Sequence, residues 1–186
     1  TVAELVMQAW LRERDKLDGR SDFPFDVEGE VEVAGSAVDF DSADGSVLFH
    51  EDLDAVELAI EQVLYLISKC KYRPQVALEA PLPLPHEPES TGKVDVLILD
   101  GMTLHVIDYK FGVQLVRPDA PQLTIYSAAA LEAAEIEGAE ARSVVQHIVQ
   151  PENEENPISS HEWTPQQVRD HQGYVNHVVK QQLEGA

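Results

Sequence analysis

Three residues in the apolar stretch "KVDVLILDGMTLHVIDYKFG" could do chemistry: Asp95, Asp108 and Lys110. Two carboxylates that reach one point form a ligand pair for a hard divalent cation such as Mg²⁺ or Mn²⁺. A lysine beside them can orient or deprotonate a water for attack on a phosphate that the metal polarises. The plainer reading is an ion-pair cluster at a sheet end, with the lysine neutralising the acids. Physical cost argues against it, because one ammonium is a poor match for two desolvated carboxylates.

Strand geometry decides whether the three residues meet. With Asp100-Gly101 as a two-residue turn, Leu99 faces Met102 and Asp95 opposes Val106. Side chains alternate with period two, so Asp95, Asp108 and Lys110 share a face and the two acids are diagonal neighbours. An odd-length turn would turn one strand over and separate them.

The elements around this hairpin follow from periodicity and punctuation. Val2, Leu5, Val6, Ala9 and Trp10 predict a helix over 2–17, and the acidic stretch about 20–50 reads as a solvent-facing hairpin excursion. Leu53, Val56, Ala59, Ile60, Val63, Leu64 and Ile67 form the stripe of a second helix. "PQVALEAPL" predicts a strand broken by Pro81, and "PLPLPHEPEST" an extended connector. A helix from Gln122 to Ala134 follows Pro121, and "ARSVVQHIVQP" is a buried strand. "ENEENPISS" reads as a loop, with "PENEENP" as solvated acids. The last helix has Thr164 as cap, Pro165 at its first position and Gln167 as box partner. These elements predict one α/β domain over 1–186, a mixed sheet between helices.

The hairpin belongs to a wider pattern. Glu79 stands in the preceding strand, "TGKVD" is a Gly-x-x-Asp ending at Asp95, "VIDYKFG" follows, and "PQLTIY" is a Gln-x-x-x-Tyr at a helix start. The combination resembles the RecB-like branch of the PD-(D/E)XK nucleases, which includes lambda exonuclease and CRISPR-associated single-strand exonucleases, and is most similar to its phage and prophage members. The resemblance covers residues 79–131 well and the N-terminal helix weakly. It implies a restriction-endonuclease-like core and a metal-dependent deoxyribonuclease, an exonuclease hydrolysing phosphodiesters with Mg²⁺ or Mn²⁺.

Carried over, the resemblance makes Asp95 and Asp108 the metal carboxylates, the Tyr109 carbonyl a backbone ligand and Lys110 the residue that positions the water. Gln122 and Tyr126 would hold the scissile strand or the lysine; taken alone, they also read as a helix cap and a half-buried core tyrosine. Lys93 and Arg117 would lie along the substrate path. Many members open their first helix with Gly-Thr-x-x-His; "TVAEL" puts Glu4 at the histidine's place, where a carboxylate can still bind a hard cation. Glu79 reads as a further ligand, as an acid that supports the ligands from behind, or as a solvent-facing strand acid. The implied partners are DNA ends, single- or double-stranded, and a protein partner or homo-oligomer, in the cytoplasm of a bacterial host or phage-infected cell.

Composition bounds these readings. The 13 basic and 34 acidic residues give a net charge of −21, which argues against a broad electropositive surface for nucleic acid. Residues 91–131 sum to only −1, so the local field tolerates a phosphate. The acidity predicts salt-sensitive DNA binding, a partner supplying basic surface, or adaptation to high salt, which the six lysines also fit. No apolar run approaches a membrane span, and the N-terminus, starting at Thr with acids in its apolar pattern, does not read as a signal peptide. A single Cys70 excludes an internal disulfide and makes a reducing cytoplasm the default. The seven histidines show no zinc-like spacing, and Trp10 and Trp163 read as core. Two other classes remain: a nuclease-fold binding or regulatory module without catalysis, and a nucleotide-binding α/β domain, against which the lack of a Gly-rich phosphate loop counts.

Overall fold

The computed structural model describes residues 50–184 apart from 85, 86, 113 and 154. The helix expected over 2–17, Glu4 and all but the last residue of the excursion about 20–50 lie outside the described residues. The elements run α1 (His50–Ser68), β1 (Gln75–Leu84), β2 (Glu87–Asp100), β3 (Thr103–Tyr109), α2 (Pro121–Ile136), β4 (Ser143–Val149), β5 (Ile158–Trp163) and α3 (Pro165–Glu184). The strands form one mixed sheet in the order β1-β2-β3-β4-β5, so the fold is α/β. No described helix is long and apolar enough to cross a membrane.

Each face of the sheet has its own core. Ala59 and Val63 of α1 pack with Val96, Ile98, Ile107 and Val149 on one side. Leu123 and Leu131 of α2 and Val168 of α3 pack with Val94, Leu104, Val106, Val144 and Ile148 on the other. Fully burying a side chain the size of Ile98 or Ile107 contributes about 1.5–3 kcal/mol. β1, β2 and β3 form an antiparallel meander, whereas β4 runs parallel to β3 because α2 carries the chain back along the sheet. That crossover sets the first turn of α2 beside the sheet end where β3 finishes.

Three expectations need correction. The strand was expected to break at Pro81, but β1 runs on to Leu84 and β2 begins at Glu87, so most of the supposed connector is paired strand. β1 is an edge strand, where a proline without an N–H removes no bond from a second neighbour. Second, "ISSHEW" is β5 rather than loop and helix entry: it pairs antiparallel with β4, and its polar, half-exposed residues carry no hydrophobic signal. Third, the hairpin closes one residue later than expected. Asp100 pairs with Thr103, so Gly101-Met102 is the two-residue loop, with Gly101 at φ +60. Glycine suits the first central position of such a turn because it alone adopts positive φ without steric cost.

Other signals appear as read. The Thr164 N–H donates to Gln167 Oε1 at 2.8 Å, and the Gln167 N–H donates to Thr164 Oγ1 at 3.3 Å, a complete capping box. Pro121 starts α2 at a position whose N–H has no helical acceptor. Trp163 packs against the core through its ring.

Candidate active site

The shifted turn keeps its even length, so the chemistry-bearing face survives. Val96 pairs with Ile107, and the same register carried one step further sets Asp95 directly opposite Asp108 rather than diagonal to it. Asp95 is also opposite Glu79: Leu78 pairs with Val96 and Ala80 with Val94, leaving Glu79 and Asp95 as the rung between. Three acids thus cross three adjacent strands in one row.

Backbone irregularity accompanies that row. Glu79 has φ 47, in the left-handed region, which costs a non-glycine residue roughly 1–2 kcal/mol. The strand faces exchange at this rung. Val76, Leu78, Val96 and Ile98 pack toward α1, whereas Leu82 and Val94 belong to the core under α2, which Leu97 and Leu99 also join. Simple alternation would have kept even-numbered residues of each strand on one side.

The electrostatics mark a carboxylate cluster. Asp95 Oδ2 accepts the Tyr109 N–H at 2.8 Å, and Lys110 Nζ lies 2.6 Å from Asp108 Oδ2. Burial pushes the Asp95 carboxyl above its ordinary range and the Tyr109 amide draws it back; Asp108 pushes it up again, opposed by Lys110, and Glu79 adds to the rise. A carboxylate raised by desolvation and like charges is one that gains from a nearby cation. The donor set of Asp95, Asp108 and the flanking backbone is all oxygen, which suits Mg²⁺ or Mn²⁺. Lys110 donates its own N–H to the Val149 carbonyl at 2.9 Å, toward β4. The Tyr109 amide points the other way, to Asp95, and in an extended strand the carbonyl of that residue points to the same neighbour, where a metal between the acids would lie.

The remaining expected residues fall in separate pairs. Gln122 Nε2 donates to Tyr126 Oη at 3.1 Å on the first turns of α2. Lys93 is ion-paired with Glu79, and Arg117 grips Asp119 through Nε at 2.9 Å and Nη2 at 2.7 Å. Gly92 explains why the Gly-x-x-Asp segment begins with glycine. A Cβ there would lie 2.7 Å from the Tyr126 ring and 2.9 Å from Leu84, so the bare backbone lets Tyr126 close onto the strand that carries Asp95. Gly92→Ala is expected to cost about 1–3 kcal/mol, read from denaturant melts, by forcing Tyr126 outward.

Sequence reading missed several contributors. Gln150 is buried, donates to the Gly112 and Gln114 carbonyls and accepts the Val116 N–H, so it holds the loop after Lys110 in place. Phe111 stacks on Tyr109 with centroids 6.0 Å apart while remaining 45% exposed beside Lys110. The Tyr109 hydroxyl is buried and finds no hydrogen-bond partner among the described residues. Burial first, and then Asp95, pushes its titration upward, so it stays a neutral phenol. Tyr109→Phe is therefore expected to leave stability unchanged or raise it by about 1 kcal/mol in thermal melts, since it removes an unsatisfied group and leaves the backbone intact. His105 and His147, scattered in sequence, stack with centroids 5.2 Å apart; positions of like parity in neighbouring strands were the available signal.

A family model matches residues 29–186, and the chain belongs to that family, described as a protein of unknown function, DUF2800. No curated protein matches. A solved structure titled "Crystal structure of SSO0001" is similar at 12% identity, covering 98% of this chain and 87% of its own, with a TM-score of 0.37.

Proposed function

We propose that this member of the DUF2800 family is a metal-dependent DNA nuclease, an exonuclease of the RecB-like PD-(D/E)XK type. The observation that carries the reading is the facing pair Asp95 and Asp108 with Lys110 at 2.6 Å from Asp108. A helix, an antiparallel three-strand meander, a crossover helix and a parallel strand support this reading, because β2 and β3 bring the two acids opposite each other beside the lysine and α2 brings the Tyr126 ring against Gly92 of β2.

In this reading Asp95, Asp108 and the Tyr109 carbonyl hold Mg²⁺ or Mn²⁺, with Glu79 and Glu4 as further acids. When bound, the cation supplies Lewis-acid polarisation of a non-bridging phosphate oxygen. Lys110 exchanges its contact with Asp108 for the attacking water and the developing phosphate charge. Gln122 and Tyr126 orient the scissile strand. The chelator-treated chain is expected to leave linear single- and double-stranded DNA intact and to degrade it once Mg²⁺ or Mn²⁺ is restored. Gel electrophoresis of end-labelled substrates reads the result, and equal absence of products with and without metal would sink the nuclease reading.

A second reading rests on a specific observation. Each basic residue expected near the substrate path is engaged by an acid: Lys93 by Glu79, Lys110 by Asp108 and Arg117 by Asp119. With a net charge of −21, such neutralised cations favour a catalytically weak or inactive nuclease-fold module that binds a basic protein partner. Mn²⁺ binding in a calorimetric titration without cleavage of these substrates supports this reading and rejects the first.

A further inference from the structure

On the α1 side of the sheet, away from the acid row, three unlike donors converge. Cys70 follows α1, Asp100 ends β2 and His105 lies in β3. Their ligand atoms all lie within 4.8 Å of one another. We propose that Cys70, Asp100 and His105 form a second metal site, for a borderline-soft divalent transition ion of the Zn²⁺ class, chemically distinct from the Mg²⁺ or Mn²⁺ position at Asp95 and Asp108.

Each donor is already oriented by the fold. Asp100 accepts the Lys71 N–H on Oδ2 at 2.8 Å and the Tyr72 N–H on Oδ1 at 2.7 Å, which fixes its carboxylate under the end of α1. Each oxygen keeps a second lone pair. His105 Nδ1 lies 3.0 Å from His147 Nε2, and His147 Nδ1 lies 2.8 Å from Ser160 Oγ on β5. A neutral imidazole has one donor and one acceptor nitrogen. When Ser160 accepts from His147 Nδ1, His147 Nε2 accepts from His105 Nδ1, and His105 Nε2 is left with an open lone pair. A chain of outer hydrogen bonds that selects a tautomer is the usual support of a metal-bound histidine. Cys70 points its thiol at the Leu66 carbonyl, 3.6 Å away, a weak contact that rotation of one side-chain bond replaces.

Donor chemistry selects the ion. Thiolate, imidazole and one carboxylate match zinc, whereas Mg²⁺ and Mn²⁺ prefer all-oxygen sets. Bonds of about 2.0–2.3 Å in a tetrahedron separate donors by roughly 3.3–3.7 Å, so the cluster must close by about 1 Å. Three protein ligands leave the fourth position to water. Binding expels the thiol proton to solvent, and no other bond changes.

The chain has one cysteine, which makes the test unambiguous. Co²⁺ titrated into the reduced, chelator-stripped full chain is expected to give a near-ultraviolet thiolate-to-cobalt charge-transfer band that saturates at one equivalent and is displaced by Zn²⁺. Cys70→Ser should abolish the band, His105→Gln should shift its titration midpoint by about tenfold or more, and Asp108→Asn should leave the band's intensity and midpoint unchanged. Asp100→Asn also removes the support of Lys71 and Tyr72, so the histidine variant, checked for folding by circular dichroism, carries the argument. Absence of the band in the wild-type chain, its persistence in Cys70→Ser, or its loss in Asp108→Asn would overturn the second site.

Discussion

If the chain is the nuclease proposed above, Lys110→Ala is expected to reduce its Mn²⁺-supported degradation of linear DNA by about 10²–10⁴-fold, the range for removing one proton-transfer group or one charge-stabilising donor. The side chain is 29% exposed and its partner Asp108 only 11%, so the ion pair is partly shielded from water. Removing the lysine side chain deletes the cation held 2.6 Å from Asp108 and leaves the two facing acids with less to offset them. Metal affinity in Lys110→Ala should therefore hold or increase while turnover falls. Asp108→Asn is expected to lose both on the proposed reading, because it removes the charge of one of the two facing carboxylates. Calorimetric Mn²⁺ titration beside single-turnover cleavage separates the two effects. If Lys110→Ala cleaves as fast as the wild type, the lysine is a structural counter-ion and has no part in the chemistry.

Gln146→Leu is expected to cost about 2–4 kcal/mol of unfolding free energy, measured by denaturant titration. Gln146 is fully buried in β4. The Trp163 indole N–H donates to its Oε1 at 2.7 Å, and its Nε2 donates to Ser127 Oγ at 2.9 Å. An indole nitrogen only donates, which fixes the amide with its oxygen toward Trp163 and its nitrogen toward Ser127. One side chain thus ties β5 to α2 across the sheet. Leucine preserves volume and removes the partner of the buried Ser127 hydroxyl and of the half-buried Trp163 indole N–H, a loss of roughly 1–3 kcal/mol for each group left unsatisfied. Adding Trp163→Phe removes one orphan, so the double variant should be less unstable than the sum of the two single changes. Strict additivity would show that the network contributes only through packing.

Legibility of the fold tracked the kind of signal involved. Helix starts were readable because a proline or a capping pair acts within one turn: Pro121 begins α2, and Thr164 with Gln167 begins α3. β5 was not readable because "ISSHEW" has no strand pattern of its own and takes its pairing from β4. Pro81 looked like a break because its tolerance depends on β1 being an edge, a property of the neighbours.

The acid pair shows the same division. The sequence alone placed Asp95, Asp108 and Lys110 in a hairpin with an even turn, and evenness is enough to put them on one face, since a slip of a whole pleat preserves parity. Only the tertiary structure decided that the loop is Gly101-Met102, that the acids face directly, and that Glu79 joins the row from the far strand. Only packing revealed why Gly92 lacks a side chain, since the Tyr126 ring arrives from another element. Cys70, Asp100, His105 and His147 are dispersed along the chain and meet because α1 ends over β2 while a crossover brings β4 beside β3. Local chemistry and periodicity reach as far as the next strand or turn. Convergence of distant donors depends on which faces the whole chain buries together.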